Sequence, residues 1–197
     1  MAQAPPMKMQ SARVQDVLAR LDLPVATAGL VAGCPDSGAA FLALEEKGLL
    51  VDAAKWAAHA LPKREAVWWA CMCARHTAAA NQPEAERALV EAAEQWVRKP
   101  TDEQRRAAFA LAQEAGFTSP EAWAAVAAFW SGESMSPPGQ PPVPPPADAV
   151  GRAVAGAVTL ASVRLHPERY AARLARFLQS AREIAQGAAG QIGPEAG

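Results

Sequence analysis

Tyrosine occurs once, phenylalanine five times, and aromatics make up only 6% of the 197 residues. β-branched residues are sparse too, which argues against a large sheet, whose pleated faces favour both kinds of side chain. Three cysteines are present, an odd number without the spacing of a disulfide framework, which points to a reducing compartment. No sign of charge dominates. With 19 Lys and Arg against 20 Asp and Glu, the net charge is −1, and the basic excess of a nucleic-acid binder is missing. The longest apolar run, Ala153 to Val163, has 11 residues between Arg152 and Arg164. A bilayer needs about 20. The opening MAQAPPMKMQSARVQDVLARL lacks the apolar stretch of a signal peptide, so a cytoplasmic location without membrane contact is expected.

Catalytic signatures are equally scarce. The chain carries no GxSxG, no HExxH and no dinucleotide fingerprint. GCPDSGAA, Gly33 to Ala40, has the two outer glycines of a phosphate loop, but Ala39 and Ala40 stand where lysine and a hydroxyl residue are required.

What is abundant is alanine. It supplies much of a 51% hydrophobic content that leaves mean hydropathy at only −0.05. Alanine is the best helix former and adds little volume, so closely packed helices are the expected outcome. Apolar periodicity predicts about nine helices: Ser11 to Leu21, Asp36 to Lys47, Leu49 to Leu61, Pro62 to Ala80, Pro83 to Arg98, Asp102 to Ala115, Pro120 to Trp130, Ala147 to Leu165 and Pro167 to Gln186. Val25 to Gly33 is an apolar connector without an assigned element. Thr101 with Gln104 fits a capping box, Ser119 precedes Pro120 at a helix start, and Gly48 and Gly116 stand at helix stops. The fold expected is all-α, a compact bundle or a short tetratricopeptide-like stack.

Between Pro137 and Pro146 lie seven prolines, which forbid helix and favour polyproline II. Phe129 and Trp130 lie just upstream, and the reading adopted is a strap docked on tryptophans of the same chain that ties the last two helices to the rest. A free linker and an external ligand of the PxxP type are the alternatives. The organisation expected is a helical bundle over 1–132, a strap over 133–148, a helical pair packing on the bundle over 149–186, and a disordered tail over 187–197. Arg169, Arg173, Arg176 and Arg182 make the last helix locally basic, as a solvated face or as a surface for an acidic partner.

The densest concentration of chemistry is PKREAVWWACMCARHT, Pro62 to Thr77. On a helix, Cys71 and Cys73 diverge by about 200°, so they share neither a metal nor a disulfide. Cys73 and His76 lie three apart, and a metal there needs two more ligands, such as Cys34 or His59. Buried core thiols are the simpler reading, with no metal and no cofactor. Trp68 and Trp69 point about 100° apart, so one faces the core while the other stands at its margin. Arg64, one turn earlier, is placed to stack on Trp68. Arg64, Trp68, Trp69 and Trp130 are therefore the candidate partner-binding residues. An enzyme using Cys34 with His59 or His76, and a purely structural assembly module, are the rival readings.

Two stretches carry a resemblance, ALPKREAVWWACMCAR (Ala60 to Arg75) and AAFWSGESMSPPGQPPVPPPADAVGRAVAGAVTLASVR (Ala127 to Arg164). The chain resembles an uncharacterised all-helical proteobacterial family, a domain of unknown function, from about Phe41 to Ala185. Members of that family are often encoded beside type VI secretion genes, including spike-tip proteins and their loading adaptors. The resemblance implies a non-enzymatic adaptor or chaperone-like accessory that binds a protein partner. It implies no catalytic residues.

Overall fold

The computed structural model describes residues 7–195, and all regular structure among them is helical. Ten α-helices follow in order: α1 Val14–Leu18, α2 Val25–Ala32, α3 Ser37–Glu46, α4 Leu50–Ala60, α5 Lys63–His76, α6 Glu84–Arg98, α7 Asp102–Glu114, α8 Pro120–Trp130, α9 Ala149–Val163 and α10 Tyr170–Ala185. Short 3₁₀ turns occupy Lys8–Ser11 and Pro167–Arg169. The connector at Val25 is thus a helix of its own.

Local chemistry sets the boundaries. Asp36, Thr101 and Ser119 cap α3, α7 and α8 by accepting the amides of Ala39, Gln104 and Ala122 at 2.8, 3.3 and 3.2 Å. Pro62 and Pro83 stand one residue before α5 and α6, in extended backbone. α3 closes with the Leu49 amide on the Leu44 carbonyl at 3.0 Å.

Small side chains let the helices approach closely. Ala66, Ala70 and Ala74 of α5, Ala124, Ala125, Ala127 and Ala128 of α8, and Ala153, Ala157 and Ala161 of α9 are all fully buried. α9 packs on α8, α5 and α4, whereas α6, α7 and α8 pack on one another in succession. α10 lies against α4, α5 and α9, and α1 to α3 cover the side of α4. Because α9 reaches back to α4 and α5, the arrangement is a closed bundle. In a stack each repeat would touch only its neighbours.

The proline run lies before the last two helices, as read from the sequence, but its path differs from an extended strap. It folds back at Pro137 to Gln140, where the Gln140 amide meets the Pro137 carbonyl at 3.2 Å. The Met135 amide donates to the Val143 carbonyl at 2.7 Å, closing the loop at its base. Arg105 and Arg106 donate to the carbonyls of Ser134 and Ser136 at 2.7 and 2.6 Å. Most of the prolines, and Val143 at 51% exposure, face solvent. Arginine–carbonyl bonds just before the run, with the Met135–Val143 bond, hold it, in place of the expected ring packing along its length.

Residues 187–197, expected to fray, depart from that expectation as far as they are described. Residues 187–195 lie along α5 and α10. Trp68 donates to the Ala189 carbonyl at 2.7 Å, the Ser180 hydroxyl to that of Gly190, and the Glu195 amide to the His76 carbonyl at 2.8 Å. Glu195 takes a bidentate pair from Arg173, at 3.0 Å to one carboxylate oxygen and 2.6 Å to the other. That guanidinium holds the Glu195 carboxyl down at about 2.

Candidate functional site

α8 is buried almost all round, and its two half-exposed aromatics share one face. Trp123 and Trp130 are seven residues apart, two helical turns, so both rings emerge on the same side. Their centroids stand 6.5 Å apart at 61°, edge towards face. Phe117 continues the line at 6.5 Å from Trp123. Neither indole N–H of the pair donates to any described residue.

The two indoles line a groove of about 670 Å³, completed by Leu21, Met135, Pro146, Ala149, Ala155 and Gly156. Its rim carries Arg20, Lys55 and Arg152 against Asp22 and Asp148. Asp148 is paired with Arg152 at 3.1 Å and Lys55 with Asp52 at 4.0 Å, which leaves Arg20 beside Asp22 and a rim of mixed charge. His59, 9% exposed, sits in the wall. Burial first, and then Arg20 and Arg152, lower its pKa from 6.5 to about 4, with Asp148 opposing, so the imidazole is neutral at pH 7. The ring fits because residue 151 is glycine: a Cβ there would stand 2.3 Å from His59 Nδ1. An apolar slot with aromatic walls and a rim of both charges is suited to an apolar side chain flanked by polar groups.

The four residues singled out from sequence do not converge. Trp130 lines the groove. Trp69 is fully buried and donates to the Phe177 carbonyl at 2.8 Å, so it is core rather than a contact residue. Trp68 is half-buried beneath the tail. Arg64 turns from the expected Trp68 stack and donates its Nε–H to the Val97 carbonyl at 2.6 Å, near the C-terminal end of α6. Trp123 was missed, although its spacing from Trp130 was a usable signal.

Charged side chains elsewhere are spent on joining helices. Glu121, fully buried, accepts from Arg164 at 2.6 Å and Gln82 at 2.7 Å, and Arg164 also pairs with Glu86. Arg105, 4% exposed, lies 5.1 Å from the Phe129 ring centroid and donates to the Phe129 carbonyl. The thiols offer no activated nucleophile. Partial burial and then Asp36 raise the Cys34 pKa, and burial raises those of Cys71 and Cys73. Among the described residues, no three His, Cys, Asp or Glu side chains are grouped to hold a metal, and no helix is long and apolar enough to cross a membrane.

Fold and site together define a helical bundle with a two-tryptophan groove. By sequence the chain belongs to the family of unknown function DUF6931, which matches residues 40–185. No curated protein and no solved structure matches it.

Proposed function

We propose that the protein is a non-enzymatic, cytoplasmic protein-interaction module. In this reading it is an adaptor or chaperone-like accessory of a proteobacterial type VI secretion apparatus. The observation that carries the interaction role is the pair Trp123 and Trp130, half-exposed on one face of α8 over an apolar floor, with indole N–H groups that have no acceptor among the described residues. Tryptophan anchors in a concave, largely apolar site are typical of protein interfaces. The mixed charges of the rim, Arg20 and Lys55 with Asp22, favour a partner segment that carries an apolar side chain flanked by polar or charged ones. The secretion context rests on the resemblance of Ala60–Arg75 and Ala127–Arg164 to a family encoded beside such genes.

The test is co-purification of the tagged full chain with the type VI spike-tip proteins and effectors of the same cell, followed by titration of the one captured. Trp123→Ala and Trp130→Ala are expected to weaken capture at least tenfold, by about 1.4 kcal/mol or more each, with helical content unchanged. Equal capture by wild type and both variants sinks the groove assignment. Absence of every secretion component from the eluate sinks the proposed setting.

A further inference from the structure

The docked tail raises a different question, because it occupies a surface that the family's own domain supplies. The match to the family ends at residue 185, whereas the tail contacts come from residues 187–195. Three of them are main-chain carbonyls, of Ala189, Gly190 and Gly193, received by Trp68, Ser180 and the Nδ1–H of His76. Such bonds read the main chain rather than particular side chains. The one side-chain contact with strong chemistry is a carboxylate on Arg173.

Arg173 is built to receive an anion. It is 2% exposed, and its Nη1 is fixed by the carbonyls of Ser162, Arg164 and His166 at 3.1, 2.6 and 3.2 Å. The remaining N–H groups point at Glu195. Arg169 adds a second cation at 3.4 Å. The tail does not fill its seat: cavities of about 380 and 220 Å³ flank it, and Arg176 borders both. Arg176 makes no ion pair with any described residue. Space, and the charge of Arg176, thus exceed what the single Glu195 uses, with Glu183 also on the wall of the smaller cavity. We infer that the α5–α10 groove is a recognition site for an acidic peptide segment of a partner, and that the chain's own tail occupies it as an autoinhibitory stand-in.

An intramolecular occupant competes at an effective concentration of order millimolar, so an outside peptide binds weakly until the tail is dislodged. Gly190 is the place to dislodge it. Its φ is +57°, and a Cβ would stand 2.4 Å from Ile184 Cγ1 and 2.7 Å from the Ser180 carbonyl. Gly190→Val therefore lifts the tail.

The experiment is fluorescence anisotropy with a labelled, amidated peptide GAAGQIGPE, the sequence of residues 187–195, titrated with the full chain. Gly190→Val is expected to bind it at least tenfold more tightly than wild type does. A peptide with the glutamate changed to glutamine is expected to lose at least tenfold against the same variant. Equal binding by variant and wild type, or by the two peptides, overturns the assignment. So does a wild-type dimer that Gly190→Val abolishes, which would give the seat to a second copy's tail. Should Gly190→Val be unfolded by circular dichroism, Glu195→Lys serves in its place. If both are unfolded, the tail is an integral part of the bundle and the proposal falls. Trp123 and Trp130 lie outside this groove, so its failure leaves the proposed function standing.

Discussion

The six tryptophans divide by how each indole nitrogen is satisfied. Trp56 and Trp69 are fully buried and donate to the Ser37 and Phe177 carbonyls, at 2.9 and 2.8 Å. Trp69→Ala opens a cavity and removes the indole bond to α10, so a loss of about 3–5 kcal/mol is expected in urea unfolding. Trp130→Ala, on a half-buried groove wall, is expected to cost about 1 kcal/mol. Equal losses would mean that Trp130 is structural. His59 gives a pH prediction. Its pKa is about 4 in the fold against an ordinary 6.5, so the unfolded chain binds the extra proton between those values. Stability therefore falls as pH drops from about 6.5 to about 4, by about 2–3 kcal/mol from this group. His59→Gln should remove that part of the decline. Urea midpoints of wild type and variant that stay parallel from pH 7 to pH 4.5 would refute it.

At the scale of elements, the helix ends were the most legible part of the sequence. Thr101, Ser119, Gly48 and Gly116 act through bonds made within a few residues, and local bonds leave local signals. α2 was not legible because it buries little, chiefly Thr27 and Val31, while Val25 is 91% exposed, so no apolar stripe marks it. The join of α6, α8 and the end of α9 was hidden for the opposite reason. Glu86, Glu121 and Arg164 look like surface charges in sequence, yet they meet at the meeting point of three helices. One Glu121 carboxylate oxygen has no partner among the described residues, so the carboxylate is only partly satisfied. Glu121→Gln keeps an oxygen for Arg164 and is expected to cost about 1 kcal/mol. Glu121→Ala leaves a largely buried guanidinium with Glu86 alone and is expected to cost about 3 kcal/mol. Thermal melts compare the two, and an alanine variant as stable as the glutamine one would show that Glu86 suffices.

For the whole molecule, what separates a bundle from a stack is contact across long sequence distance, which periodicity cannot report. The same limit hid the route of the proline run and the seat of the tail. The first depends on Arg105 and Arg106 about 30 residues away, and the second on Trp68, 121 residues from Ala189. Closure through α9 has a thermodynamic consequence. α9 shares buried surface with α4, α5 and α8, and α10 with α4 and α5, so neither can leave without stripping apolar area from the first half of the chain. Urea unfolding should then be a single transition, with far-UV dichroism, tryptophan fluorescence and near-UV dichroism superimposed and a slope of about 1–3 kcal/mol/M. In a stack, contacts run only between neighbours, and the terminal helices can melt first. Fluorescence from Trp56 and Trp69, buried beneath α3 and α10 respectively, makes the difference visible. If α9 and α10 were an appendage, Trp69 would lose its cover with them, so a fluorescence change that runs ahead of most of the loss of helical signal would mean that these two helices leave first and are not the closing layer of the core.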